Sequence, residues 1–145
     1  LAGLLHDIGK LLLARHFGHE TPHKIAELVE QKGIVYVEAE RQVLGTDHAE
    51  VGGRVARHWR FPDVLVRAIE RHHDPDVSPD PVLDVVHVAN AVAKLIGVGL
   101  GAEQMHMKAS AEAPKRLGLS SAGLERLCAT VADELEKTEE LWRSN

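Results

Sequence analysis

Apolar residues recur every three or four positions along most of the chain, and no segment shows the strict alternation that is typical of a half-buried strand. This pattern predicts an all-α fold. Proline, glycine and capping residues divide the chain into the predicted helices 1–15, 22–33, 35–45, 48–59, 62–73, 82–97, 112–117 and a last helix from Ser120 or Ser121 onward. The β-branched start of the third segment is ambiguous, but "EAERQVL" favours a helix.

Local signals mark where several helices begin. Thr21 followed by Pro22 resembles an N-cap with proline at the first helical position. Asp47 with Glu50 three residues later forms a start like a capping box. The helix over 82–97 is apolar nearly all round and is therefore expected to be central.

The last predicted helix is amphipathic. Its apolar side carries Leu124, Leu127, Val131, Leu135 and Trp142. A stripe of this kind packs in a core about twice as often as it binds a partner.

Composition narrows the class of protein. The 145 residues carry a formal net charge of -5 without a run of basic residues, so nucleic acid is not expected as a partner. No signal peptide or apolar run of membrane-spanning length is present, so no membrane association is expected. Cys128 is the one cysteine, which fits a reducing cytoplasm.

The chain begins in mid-pattern without a capping residue, so we expect a fragment whose first helix begins upstream of Leu1.

The segment "LLHDIGK" places polar chemistry in an apolar run. His6 and Asp7 are adjacent there, and Lys10 follows one helical turn later. Burying such side chains is costly unless each has a partner. Three explanations are open: a bound metal ion, a hydrogen-bond network, or a site that once bound a metal.

Three further polar residues are predicted to face the core. His48 shares the apolar stripe of its helix with Val51 and Val55, and His72 follows Ile69 by one turn. Asn90 lies in the most hydrophobic helix. Imidazole and carboxylate groups together suit divalent transition metals. A metal held there could activate water for attack on a phosphate, with Lys10 stabilising the developing charge.

Simpler explanations carry equal weight for single residues. A lone core histidine such as His48 is usually satisfied by a carbonyl or a carboxylate, and Lys10 could simply pair with Asp7. His73 points about 100° away from His72 on a helix, which suits the rim of a site. His87 suits packing or support of a ligand. The remaining histidines are expected at the surface: His16, His19, His23, His58 and His106.

The order of these segments resembles the HDOD family of the HD superfamily. "AGLLHDIGKLLL" resembles its signature helix, and "LGTDHAEVGGRVARHWRFP" followed by "VLVRAIERHHDP" resembles the central layout. "VVHVANAVAKLIGVGLG" and "LGLSSAGLERL" resemble the later segments. The resemblance implies a helical bundle of the HD-domain type. In this interpretation residues 1–145 are the later part of one HDOD domain, with 110–145 as closing helices.

The resemblance also implies the site and the function. His6 and Asp7 match the metal doublet, while His48, His72 and His73 match further ligand histidines of the cyclic-dinucleotide phosphodiesterases. Lys10 matches the lysine that lies beside the metal doublet in those enzymes, and it would be catalytic only in an active enzyme. Asn90 stands where those enzymes have a closing aspartate, and the Gly-Tyr-Pro motif is absent.

We therefore expect a non-catalytic regulatory module of bacterial signal transduction with a degenerate metal site. The alternatives are a metal-dependent phosphohydrolase, such as a cyclic-dinucleotide phosphodiesterase, and nucleotide binding without turnover. No cofactor is expected to be obligatory, and a divalent metal (Fe, Mn or Mg) would bind at low occupancy. The expected partners are signalling proteins or neighbouring regulatory domains. The sequence leaves self-association open, through apolar surface at the start of the chain or through the last helix.

Overall fold

The computed structural model describes residues 1–18, 20–98, 101, 106 and 108–143. Every regular element within these residues is a helix, which confirms the predicted all-α fold. The helices are α1 (Ala2–Leu5), α2 (Ile8–Phe17), α3 (Thr21–Lys32), α4 (Tyr36–Leu44), α5 (His48–His58), α6 (Asp63–Arg71), α7 (Pro81–Leu95), α8 (Glu112–Arg116) and α9 (Ser121–Arg143). No helix of this described part has the length and apolar content needed to cross a membrane.

The prediction of one continuous first helix was wrong. The backbone breaks at His6 and Asp7, so that α1 ends before them and α2 begins after them. Successive side chains on a continuous helix diverge by about 100°. The break removes this restriction, and both side chains lie close to the same partner, His72.

Several helix ends follow the predicted local chemistry. The Asp47 carboxylate accepts a hydrogen bond from the Glu50 N–H at 2.8 Å and caps α5. The Asp80 carboxylate accepts from Val82 N–H at 2.9 Å and caps α7. Gly33 ends α3 with φ +64°, a left-handed conformation in which glycine pays no steric penalty.

The predicted helix through the histidine pair is two residues too long. α6 ends at Arg71, and the Asp74 N–H donates to the Arg71 carbonyl at 2.8 Å. His72 is therefore the C-cap residue, and His73 lies in the turn that follows. The angular separation expected for two helical neighbours does not apply to this pair.

Glycines allow close helix packing around α5, which lies against both α2 and α6. A Cβ added at Gly52 would lie 2.8 Å from Ile69 Cγ2, and one at Gly53 would lie 2.7 Å from Glu70 Cβ. Both distances are shorter than ordinary contacts. Only glycine lets α5 and α6 approach this closely, and the N-terminal end of α5 carries His48.

The predicted central helix, α7, contacts α1, α6, α8 and α9. Its apolar residues Leu83, Val86, Val88 and Val92 are buried. Asp84 is also buried, and the Arg116 guanidinium binds both of its oxygens, at 2.6 and 2.8 Å. This bidentate ion pair compensates the buried charge and joins α8 to α7.

The stripe on α9 enters the core only in part. Leu124 and Leu127 are half-buried and pack against the cluster around Val88 and Val92. Every described residue from 129 to 143 is exposed, and Trp142 retains 81% of its accessible surface. The expectation of a core position was therefore wrong for the second half of this helix, because the helix extends past the elements that cover its first half.

Candidate metal centre

Five polar side chains from separate elements converge at one place. Asp7 Oδ1 lies 3.2 Å from His48 Nε2 and 3.5 Å from His72 Nε2, and its Oδ2 lies 3.4 Å from His6 Nε2. His73 Nε2 lies 2.9 Å from His48 Nε2. The structure thus brings together the α1–α2 junction, the start of α5 and the segment that follows α6.

The protein backbone fixes which ring nitrogens face the cluster. His6 Nδ1 is 2.7 Å from the Gly3 carbonyl, and His72 Nδ1 is 2.8 Å from the Ile69 carbonyl. A carbonyl only accepts, so each Nδ1 carries the proton and each Nε2 offers a lone pair. This is the tautomer in which a histidine can bind a metal through Nε2.

Three of the converging atoms are buried and have no hydrogen-bond partner among the described residues: His6 Nε2, Asp7 Oδ1 and His72 Nε2. Buried polar atoms rarely stay unsatisfied, and such atoms call for an explanation such as an ion. The ligand atoms of the two histidines and Asp7 lie within 4.8 Å of one another, as do those of His48, His72 and His73. The donor set and its orphaned atoms fit a divalent transition metal.

Glu40 is a candidate site residue that the sequence analysis missed. Its side chain is buried on α4, and Oε2 lies 2.5 Å from His48 Nδ1 and 3.1 Å from the His48 N–H that donates to it. It therefore orients the imidazole from behind, as the supporting carboxylates of metal-binding histidines do. Glu40 follows the buried Val37 by three residues, so its place on the apolar stripe of α4 was a signal available in the sequence.

The pKa values of the histidines diverge inside this cluster. Burial opposes a charge on His48, but the carboxylates of Asp7 and Glu40 outweigh it and raise its pKa to about 9. Burial and the neighbouring His48 lower the pKa of His72 to about 4. Burial also holds the pKa of His73 well below its usual range. Near neutral pH the metal-free cluster therefore contains a charged His48 beside neutral His72 and His73.

Asp7 is ionised, and its carboxylate faces both Lys10 and the histidines. Its burial opposes ionisation, but His48, His72 and Lys10 together hold the pKa of its carboxyl well below the usual range. Lys10 Nζ lies 2.6 Å from Asp7 Oδ2, so the simpler alternative, a pair between Lys10 and Asp7, is present in the structure. One carboxylate oxygen thus carries the Lys10 ion pair, while the other faces the histidines.

A pocket of about 290 Å³ lies beside the cluster, and His73 forms part of its wall. Asn90 lines this pocket from α7. His87, in the same wall, donates from Nδ1 to the His72 carbonyl at 2.7 Å and accepts the Ser110 N–H at Nε2 at 2.9 Å. His87 therefore supports the backbone of a candidate ligand, one of the two roles expected for it.

The remaining histidines mostly lie at the surface as expected. His16, His23 and His58 are exposed, and His19 lies outside the described residues. His106 is an exception, because it is half-buried and lines the pocket. Its flanking residues lack helical periodicity, so the sequence offered no sign of this position.

Replacing Glu40 with alanine is expected to weaken Mn²⁺ binding by about tenfold to a hundredfold, because His48 loses the group that orients it. Calorimetric titration measures this change. Glu27→Ala is the matched control, since Glu27 is exposed on α3. Equal affinities in the two variants would contradict the supporting role of Glu40.

Metal affinity is expected to rise between pH 6.5 and 8.5. A metal that binds His48 Nε2 must displace its proton, which is held up to a pKa of about 9. One released proton corresponds to about a tenfold gain in affinity per pH unit. The same charged His48 stabilises the metal-free fold below pH 6.5, and that contribution is lost as the pH rises through about 9. Titrations in buffers of different ionisation enthalpy count the released proton, and a flat profile would contradict the assignment.

Comparison with known proteins identifies the family of this chain. The profile of the HDOD domain family matches residues 1–75, which include the cluster from His6 to His73 and slightly more than half of the sequence. The chain belongs to the HDOD family. The crystal structure of an HDOD domain protein of unknown function from Geobacter sulfurreducens is similar, with 26% sequence identity and a TM-score of 0.68. The similarity covers 92% of the present HDOD chain and 48% of that protein.

Three curated proteins are similar to this chain over a small part of their own length. The HDOD chain is 30% identical to ribonuclease Y of Thermus thermophilus over 132 residues, and 29% identical to ribonuclease Y of Aquifex aeolicus over 92 residues. An uncharacterised protein of Treponema pallidum is 24% identical over 99 residues. The matches cover 63–90% of this chain but 12–19% of those proteins. The chain thus spans less than a fifth of their length.

Proposed function

We propose that this HDOD chain is a regulatory module that binds one divalent transition metal weakly and does not turn over phosphodiesters at a useful rate. His6, Asp7, His48, His72 and His73 would hold the ion. The observation that carries the proposal is the set of three buried, unpartnered ligand atoms on His6, Asp7 and His72. A metal would satisfy these atoms and supply Lewis acidity at this place.

The charge of the site favours weak binding over catalysis. Asp7 is the one carboxylate among the five candidate ligands, and Lys10 already neutralises part of its charge. The four histidines bind as neutral imidazoles, and Asn90 offers a neutral amide. A divalent ion would therefore keep much of its charge in a poorly solvated place, which is unfavourable.

The regulatory role rests on family membership together with this charge count. The expected partners are signalling proteins or regulatory domains next to the module. The single cysteine fits a cytoplasmic location. The pocket of about 290 Å³ next to His73 offers space for a small ligand whose binding would change with metal occupancy.

Elemental analysis and calorimetry test the proposal. Protein purified without added metal should contain it at well below one equivalent, and added Mn²⁺ or Fe²⁺ should bind once per chain. His72→Ala should abolish this binding, whereas His58→Ala should preserve it, because His58 is exposed on α5. Hydrolysis of cyclic dinucleotides and of a generic phosphodiester should stay at background. Tight stoichiometric metal with rapid turnover would overturn the proposal.

Metal-dependent phosphodiester hydrolysis is the second candidate. The similarity to two proteins named ribonuclease Y favours it, as does the position of Arg41, Lys94 and Lys108 in the pocket wall beside the cluster. Cationic side chains there suit a phosphate group. If this candidate holds, the chain should cleave RNA or a cyclic dinucleotide, and both chelation and Lys10→Ala should stop cleavage. Activity that survives chelation would exclude the candidate.

Asn90→Asp is expected to tighten Mn²⁺ binding by about tenfold, because a second carboxylate would compensate charge on the ion. Calorimetric titration of both forms checks the gain. Gln42→Asp adds the same charge at an exposed position of α4 and is the control. An unchanged affinity in Asn90→Asp would show that charge at position 90 does not limit binding.

A further inference from the structure

The second half of α9 is a helical segment that the rest of the described protein does not cover. Every residue from 129 to 143 is exposed, whereas Leu124, Leu127 and Cys128 pack against the cluster around α7 and α8. A helix of about 15 residues is marginally stable in water without packing. The exposed segment continues a packed helix and carries ion pairs along its length, but its apolar residues have no described neighbour that covers them.

The exposed segment continues the apolar line that packs in the first half. Its members recur at alternating spacings of four and three residues: Leu124, Cys128, Val131, Leu135, Thr138 and Trp142. This is the heptad spacing of a helix-to-helix seam. Val131, Leu135 and Trp142 are 37, 36 and 81% exposed, so the seam is open where the core ends.

The charges beside the open seam are acidic. Glu134 and Glu139 occupy the two flanking heptad positions, one on each side. Glu134 pairs at 3.0 Å with Lys137 on the outer face, and Glu139 pairs at 3.2 Å with Arg143, which lies farther from the seam. Exposed pairs of this kind contribute little, so the flanks keep their negative potential.

This charge pattern discriminates between partners. In a parallel pair of identical helices, Glu134 of one copy would face Glu139 of the other, and an antiparallel pair would again place acidic flanks together. A second copy is therefore disfavoured, although sequence alone left self-association open. A helix with basic flanks would instead form favourable pairs with Glu134 and Glu139.

We propose that residues 129–143 form a docking surface for an amphipathic helix of another protein, whose apolar seam is flanked by Lys or Arg. Leu135 and Trp142 would insert into that seam, and Glu134 and Glu139 would select its charge. Such a surface suits the coupling of a regulatory module to another signalling component.

Two designed 21-residue peptides test this surface on the whole chain. Both carry Leu at the a and d positions, and they differ in having Lys or Glu at the e and g positions. Trp142 emission reports binding in a Trp59→Phe background. The Lys peptide should shift the emission to shorter wavelength and bind at least tenfold more tightly than the Glu peptide. Leu135→Asp should remove the binding.

Charge reversal provides the matched control. Glu134→Lys with Glu139→Lys should reverse the peptide preference, whereas Glu136→Lys with Glu140→Lys should retain it, because the latter residues lie away from the seam. Sedimentation should show a monomeric chain. Absence of a charge preference would overturn the proposal. So would a dimer that Leu135→Asp dissociates, which would assign the surface to a second copy.

Discussion

Gly9→Ala is expected to lower the free energy of unfolding by about 3 kcal/mol, because the new methyl group has no space. A Cβ at Gly9 would lie 2.7 Å from the carbonyl carbon of His48 and still closer to its oxygen, and 3.0 Å from the Gly52 N. These atoms belong to the backbone of α5, so no side-chain rotation relieves the clash. α2 and α5 must therefore separate.

This separation acts on the site as well as on stability. Asp7 lies next to α2 and His48 begins α5, so their distance of 3.2 Å depends on the close crossing at Gly9. Mn²⁺ affinity is therefore expected to fall together with the melting temperature, which should drop by roughly 5–10 °C. Thermal unfolding and calorimetric titration measure both quantities.

Gly3→Ala is the matched control for Gly9→Ala. Among the residues that the structure describes, no atom outside the neighbouring residues and the backbone of α1 lies within 4 Å of a Cβ at Gly3, which is exposed. Alanine there should be neutral or stabilise the helix by up to about 1 kcal/mol. If Gly9→Ala were as stable as Gly3→Ala, the close crossing of α2 and α5 would be disproved.

Asp7→Asn is expected to lower metal affinity by at least about a hundredfold. Asp7 is the one carboxylate among the five candidate ligands, and its Oδ1 is buried without a hydrogen-bond partner. The amide keeps the shape of the side chain but removes the charge that compensates the ion. Calorimetric titration with Mn²⁺ measures the loss.

A structural effect of Asp7→Asn must be separated from the loss of a ligand. Lys10 and His48 lose a charged partner, which should cost about 1 kcal/mol after allowance for the partial exposure of Asp7. Unfolding in the presence of a chelator isolates this small term. Asp133→Asn, an exposed change on α9, should alter neither quantity. Wild-type Mn²⁺ affinity in Asp7→Asn would remove Asp7 from the site.

The sequence by itself determined the helical class, most helix ends and the inward direction of two histidines. Capping at Asp47 and Asp80 depends on residues within one turn, so local chemistry was sufficient. His48 and His72 lie on apolar stripes of their helices, and both are almost completely buried. Periodicity determines such directions because each helix buries one face.

The tertiary structure alone decided how these side chains meet. The helix breaks at His6 and Asp7, and α6 ends before His72 and His73. Both irregularities let these side chains contact residues of other helices, and local helix propensity does not encode such contacts. Glu40 supports His48 from a different helix. The seam of α9 looks uniform in sequence, yet packing covers only its first half. The spacing of apolar residues specifies which face of a helix is apolar. Only the arrangement of neighbouring helices decides how far along the helix that face is buried.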